Sequence, residues 1–222
     1  MINTGIIFDM DGVLIDSNPY HKIALDIFLT EKGFSLTEED RKNRLYGRAN
    51  KDWINDLYNG KLSTNELKVL GNEKEVIWRR EYAPYIKPVA GLIQFLTQLK
   101  QIGIPMAVGT SAPSDNVDFT FKKIGIGHFF DAVLDEKDVT IGKPHPEIYI
   151  NCCKALHLAP QYSIVFEDSI SGVKAGLDAG CKVVGVLTTH TMEELVGCSM
   201  YISDYQNLDP KEVINLCNEV TQ

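Results

Sequence analysis

The chain has 222 residues, 44% of them hydrophobic, which suffices for one or two domains with a sizeable buried core and reads as a folded, globular protein. A formal net charge of −8 argues against a nucleic-acid or anionic-membrane surface, while leaving room for a local basic pocket that holds a phosphate. The five cysteines (Cys152, Cys153, Cys181, Cys198 and Cys217) are odd in number and contain no C-x-x-C pair. They fit neither a disulfide framework nor a zinc site and read as reduced structural residues.

The amino-terminal run Ile6, Ile7 and Phe8 is short and reaches the charged Asp9 and Asp11 at once. It therefore reads as neither a signal peptide nor a membrane span, and the cytoplasm is the expected compartment. Similar apolar runs recur at 105–108, 132–134, 163–166 and 182–186, and more weakly at 200–202. Buried parallel strands have this composition. Between them, helical periodicity runs through 91–102, 117–124, 147–156 and 170–179. Alternating strands and helices predict an α/β fold with a doubly wound parallel sheet.

Residues 19–87 break the alternation, with helical patterns at 20–32, 51–58 and 66–82 and no convincing strand. Gly33, Gly47 and Gly60 punctuate this stretch, and Pro84 and Pro88 close it. The expected organisation is a core of 1–18 and 88–222 interrupted by a helical cap at 19–87. No internal repeat or low-complexity tract is visible.

Open α/β sheets bind ligands beyond the carboxyl ends of their strands. The first strand ends in Asp9-Met10-Asp11-Gly12-Val13. Two acids one residue apart suit a divalent cation and a reacting group, because one carboxylate can attack phosphorus while the other protonates a leaving oxygen. Gly12 lets the chain turn sharply and bring amides toward phosphate. Taken alone, the pair reads equally well as solvated loop acids, although the EF-hand spacing is absent.

The second strand ends in Gly109-Thr110-Ser111, just before a helix start near Ser114 or Asp115. A hydroxyl beside a helix amino terminus can seat a phosphate, and it can equally be a simple cap. Gly142-Lys143-Pro144-His145-Pro146 presents one lysine able to neutralise phosphate and carboxylate charge. The fourth strand ends in Glu167-Asp168-Ser169. There Asp168 is placed to complete a hard-oxygen Mg²⁺ site with Asp9, and Glu167 to join it directly or through water. The conjunction of acids, hydroxyl, lysine and acids, each at or soon after a strand end, decides between these readings.

In this order D-M-D-G-V, T-S, G-K-P-x-P and E-D-S resemble the four signature motifs of haloacid dehalogenase superfamily hydrolases, over nearly the whole chain. The likeness is to the subgroup containing β-phosphoglucomutase and small sugar-phosphate phosphatases, whose Rossmann-like core carries a helical cap inserted after the first strand. The resemblance implies Mg²⁺ as cofactor and Asp9 as nucleophile, with Asp11 as general acid/base and Thr110 as phosphate hydroxyl. It makes Lys143 the charge neutraliser and Asp168 a metal ligand, with the Asp11 backbone carbonyl as another.

In the cap, Asp16-Ser17-Asn18-Pro19-Tyr20-His21 resembles the mutase hinge, so His21 is expected to contact Asp11. Tyr46-Gly47-Arg48-Ala49-Asn50-Lys51 lies where such caps carry a specificity loop. The arginine that holds a distal phosphate in the mutases falls on Asn50 here, with Arg48 and Lys51 adjacent. Gly12, Ser111, His21, Arg48, Asn50, Lys51 and Lys74 are accordingly the expected substrate-binding residues.

The favoured activity is hydrolysis of a small-molecule phosphate ester, probed against two enzyme rivals: a phosphomutase, and a dehalogenase, whose family members lack the acid at position 11. A signalling receiver domain is the non-enzymatic rival, but its phosphoacceptor follows a later strand and it has no helical insertion. A monomer with no nucleic-acid or membrane partner is expected.

Overall fold

The computed structural model describes residues 4–46 and 48–217, the side chain of Lys42 excepted; the expectation placed on Gly47 lies outside it. The chain divides into two compact units, Met1–Asp16 with Ile86–Gln222, and Ser17–Tyr85.

The first unit is built on six parallel strands: β1 (Gly5–Phe8), β2 (Met106–Gly109), β3 (Ala132–Leu134), β4 (Ser163–Glu167), β5 (Lys182–Val186) and β6 (Met200–Ile202), in the order β3-β2-β1-β4-β5-β6. Its helices are α5 (Leu92–Gln101), α6 (Ser114–Ile124), α7 (Glu147–Ala155), α8 (Ile170–Asp178) and α9 (Pro210–Asn215). Every residue of β1, β2 and β4 is buried, as expected of strands covered on both faces.

Strand alternation separates the two faces. Ile7, paired in register with Ala107 and Val165, packs with Tyr149, Cys152, Cys153 and Val173 on one side. Phe8 and Phe166, stacked 5.0 Å apart, join Phe95 and Tyr205 in an aromatic cluster. Each such buried side chain contributes roughly 1.5–3 kcal/mol. The strand order reverses at β1, which lies between β2 and β4, so the exits of these three strands share one crevice.

The second unit contains α1 (Asn18–Glu31), α2 (Glu38–Arg44), α3 (Asn50–Leu57) and α4 (Thr64–Tyr82). Pro19 sits in the first turn of α1, where its missing N–H costs nothing. Capping boxes start α2 (Thr37 with Asp40) and α4 (Ser63 with Glu66). Phe28, Leu29, Trp53, Ile54, Ile77, Trp78 and Tyr82 form the interior. Helix α2 is absent from the periodicity reading because its sequence, EEDRKNR, has no apolar stripe. Its cap and the acids of its first turn, Glu38, Glu39 and Asp40, favour it instead. The short α9 likewise falls outside the helical stretches read from the sequence.

Within the first unit the two roots of the insertion are tied together. The Val89 N–H donates to the Leu14 carbonyl at 3.0 Å, and Ile15 forms an antiparallel bridge with Pro88. No helix among the described residues is long and apolar enough to cross a membrane. All five cysteines are free thiols, with Cys153 Sγ and Cys181 Sγ 3.7 Å apart in the core.

Candidate active site

Asp9 leaves β1 still bonded to the sheet, its N–H donating to the Phe166 carbonyl at 3.0 Å. This extends the strand by one residue and aims a buried carboxylate into the crevice. Two residues on, Asp11 is half-buried, and Gly12 turns the chain with φ +76°, a conformation that disfavours a side chain. The Gly12 N–H is bonded to the Ile15 carbonyl at 2.7 Å, which closes the turn.

Lys143, from the loop before α7, reaches the crevice with only 7% of its side chain exposed. Its Nζ lies 2.6 Å from Asp9 Oδ1, 2.7 Å from Glu167 Oε1 and 3.2 Å from the Gly109 carbonyl. One ammonium thus links the exits of β1, β2 and β4. Thr110 and Ser111 follow Gly109. The Thr110 hydroxyl is buried and accepts from the Ala112 N–H at 3.1 Å, whereas Ser111 is exposed.

Asp9, Glu167 and Asp168 are all buried and bring carboxylate oxygens within 4.8 Å of one another. The oxygens of Glu167 are already engaged, since Oε1 receives Lys143 and the Tyr149 hydroxyl. Oε2 receives the N–H groups of Asp168 and Ser169 and the Ser169 hydroxyl, each at 3.0 Å. Room for this carboxylate exists because residue 172 is glycine. A Cβ there would lie 1.7 Å from Glu167 Oε1.

Asp168 accepts from the Thr189 hydroxyl at Oδ2, and its carbonyl faces His190 Nδ1 at 3.0 Å. Thr188 Oγ1 donates to the Gly12 carbonyl at 2.5 Å. The segment after β5 therefore braces both acidic turns.

These contacts set the charge balance. Burial works against ionisation of Asp9, with Glu167 and Asp11 adding repulsion and Lys143 opposing, and its pKa is pushed up to about 7. Burial, then Glu167 and Asp9, hold Asp168 well above the ordinary carboxylate range. At Glu167 burial also opposes the charge, but Lys143 and the hydrogen bonds outweigh it and keep the pKa low. Lys143 pays for burial with two carboxylate partners and stays above its usual value. One lysine pairs with Asp9 and Glu167, which leaves Asp9 and Asp168 short of positive charge. A hard-oxygen donor set with unbalanced buried charge fits a Mg²⁺ ion.

In the second unit the structure joins residues that the sequence presents separately. Lys74 is 6% exposed, with Nζ 2.8 Å from His21 Nδ1 and 2.9 Å from Glu75 Oε1. Because an ammonium only donates, His21 Nδ1 is the acceptor. The His21 ring stacks on Trp78 at 4.7 Å. Asn50 Nδ2 donates to Glu75 Oε1 at 2.6 Å, and its Oδ1 accepts from Trp53 Nε1. Arg48 is paired with Asp56 at 2.7 Å and with the Arg44 carbonyl at 2.9 Å, and Lys51 is exposed on α3.

A model of the haloacid dehalogenase-like hydrolase family matches residues 6–186. The chain belongs to that family. Among its relatives, the validoxylamine A 7'-phosphate phosphatase of Streptomyces hygroscopicus subsp. limoneus is 30% identical over 198 residues, 89% of this chain and 92% of the relative. The phosphorylated carbohydrates phosphatase of Thermotoga maritima is 29% identical over 217 residues, 97% of this chain and 98% of the relative. A family IA, variant 3 hydrolase from Entamoeba histolytica HM-1:IMSS superposes with a TM-score of 0.89 at 30% identity, over 97% of this chain and 99% of that one. A β-phosphoglucomutase from Clostridium difficile superposes with a TM-score of 0.83 at 25% identity, over 99% and 98%.

Proposed function

We propose that the chain is a Mg²⁺-dependent phosphatase that hydrolyses a small phosphate monoester, a sugar phosphate or a related polyol phosphate, through an aspartyl-phosphate. The observation that carries this reading is the Lys143 ammonium clamped 2.6 Å from Asp9 Oδ1 within a cluster of acids at two strand exits. Two relatives, named as a phosphorylated carbohydrates phosphatase and a validoxylamine A 7'-phosphate phosphatase, support the substrate class.

Asp9 attacks phosphorus in line, forming the acyl-phosphate bond as the P–O ester bond breaks, and Asp11 gives its proton to the departing alkoxide. Asp11 then takes a proton from water, which attacks the aspartyl-phosphate and releases inorganic phosphate. Lys143 fixes Asp9 and offsets charge on the transferring group, with Thr110 at its side. Asp9, Asp168 and the Asp11 carbonyl would hold Mg²⁺, with Glu167 anchoring Lys143. The bound ion supplies further charge stabilisation.

Hydrolysis is favoured over the mutase reaction because neither cap residue near the expected distal-phosphate position offers a guanidinium fork. Asn50 is neutral and bonded to Glu75, and Arg48 is paired with Asp56. The test is incubation with β-glucose 1-phosphate, catalytic glucose 1,6-bisphosphate and Mg²⁺, measuring glucose 6-phosphate and free phosphate separately. Phosphate release is expected to dominate; rapid bisphosphate-dependent isomerisation with little free phosphate would overturn hydrolysis as the activity. A panel of phosphorylated metabolites then ranks substrates.

A further inference from the structure

No step of this mechanism uses Tyr149, yet it touches two of the groups that do the work. It lies in the first turn of α7, fully buried, six residues after Lys143. Its hydroxyl donates to Glu167 Oε1 at 2.6 Å, and its ring face lies under Lys143 Nζ, 4.8 Å from the centroid. We propose that Tyr149 is a positioning residue for Lys143, fixing the ammonium between Asp9 and Glu167 through the hydroxyl bond to Glu167 and the ring face beneath the charge. The inference rests on the role given to Lys143 in the phosphatase reading.

Glu167 competes with Asp9 and with any bound phosphate for the ammonium. The carboxylate oxygen nearest the lysine has room for about two donors, and Tyr149 fills the second place. Its hydroxyl dipole offsets part of the charge on Oε1, which weakens the pull of Glu167 on Lys143 and leaves the ammonium directed toward Asp9. The ring adds a second constraint, since the negative face of an aromatic quadrupole attracts a desolvated cation. Bare backbone at residue 109 leaves room for Cys152 and brings the ring to van der Waals distance. A Cβ on Gly109 would lie 3.4 Å from Tyr149 Cε1 and 2.8 Å from Cys152 Sγ, and the Gly109 carbonyl is itself a Lys143 partner. The hydroxyl is held in the protonated, donating form by burial and by the Glu167 charge, which raise its pKa well above the usual value.

The experiment compares wild type, Tyr149→Phe, Tyr149→Leu, Glu167→Gln and the Tyr149→Phe/Glu167→Gln pair in hydrolysis of p-nitrophenyl phosphate at saturating Mg²⁺. Inhibition by inorganic phosphate, the Mg²⁺ concentration for half-activation and the melting temperature are read in parallel. Tyr149→Phe is expected to lower kcat about tenfold and to raise the phosphate inhibition constant, with KM and the Mg²⁺ requirement within about twofold and melting nearly unchanged. Tyr149→Leu, which also removes the ring, is expected to lose about a hundredfold.

In the Glu167→Gln background, Tyr149→Phe should change kcat by less than about twofold, because the tyrosine acts through that carboxylate. Wild-type kcat in Tyr149→Phe, a full additive loss in the double variant, or loss of folded structure in Tyr149→Phe would each overturn the proposal. The last would mean that the hydroxyl serves the core. Inactivity of wild type toward every ester would instead overturn the phosphatase reading, and this inference with it.

Discussion

Lys143 Nζ and Asp9 Oδ1 are 2.6 Å apart in space and 134 residues apart in sequence. Removing the ammonium leaves Asp9 and Glu167 as buried acids without their shared cation. Lys143→Met is expected to lower kcat by about 100- to 1,000-fold, the scale for losing one preorganised charge-stabilising donor. It should also reduce stability by about 3 kcal/mol at pH 8. The stability loss should shrink toward pH 5, where the orphaned acids take up protons. Urea unfolding at both pH values checks this, and an equal loss at both would contradict it.

Asp9→Asn is expected to abolish turnover while preserving the fold, since the amide keeps the shape but is neither an effective nucleophile nor an anionic ligand. The same substitution has a pH signature in metal-free protein. Asp9 is pushed up to about 7 in the folded chain, above the ordinary aspartate value of 3.8, so the native state holds the extra proton between these values. Its contribution to stability is therefore fully present below about pH 3.8 and is lost as pH rises through 7. Asn carries no such charge, so Asp9→Asn should melt above wild type at pH 8, with the gap closing near pH 4. Thermal melts across that range test the sign.

Asp11→Asn should impair proton delivery to the leaving oxygen, so alkyl phosphates should lose far more rate than p-nitrophenyl phosphate, whose leaving group needs little protonation. Equal losses on both substrates would remove Asp11 from the acid/base role.

Thr189 donates to Asp168, so its hydroxyl orients a proposed metal ligand. Thr189→Val is expected to raise the Mg²⁺ concentration for half-activation about tenfold, the scale for losing a partner of a metal ligand. Asp168→Ala should raise it further, while kcat at saturating Mg²⁺ falls less in the threonine variant. Mg²⁺ titrations of activity distinguish this from a general loss of folding.

Gly172→Ala sets helix propensity against the site. In an exposed helix interior the change stabilises by about 1 kcal/mol. Here the added Cβ would fall 1.7 Å from Glu167 Oε1, so the carboxylate must move and its hold on Lys143 is lost. Lower melting together with at least tenfold lower kcat is the expected result. A more stable, fully active variant would show that Glu167 does not need its observed place.

Much of the fold is legible in the sequence because a strand buried on both faces is an uninterrupted apolar run. β5, buried from Val183 to Val186, coincides with such a run residue for residue, as do the less buried edge strands β3 and β6. The acids, hydroxyls and lysine at strand ends are legible too, because topology brings strand ends together. What stays hidden depends on packing between distant segments. Tyr149 reads as one more apolar position on α7, and nothing local shows that its hydroxyl meets Glu167. Gly172 looks like an ordinary helix glycine until a carboxylate is found in the space its side chain would fill. Asn50, Lys74, Glu75 and His21 come from three helices, so their network has no sequence spacing to reveal it. Thr188 and Thr189 follow β5, whose exit carries neither an acid nor a lysine, and nothing local shows that they meet Gly12 and Asp168.

The tie between Leu14 and Val89, continued by Ile15 and Pro88, gives residues 17–85 the form of a cassette. The chain leaves and re-enters the sheet-bearing unit at neighbouring points, so a helical segment of different length or sequence can be accepted there without lengthening or straining β1. Exchange within this segment can therefore leave the strand-end residues in place. The same layout marks 16 and 86 as junctions for grafting a cap from one family member onto the sheet of another.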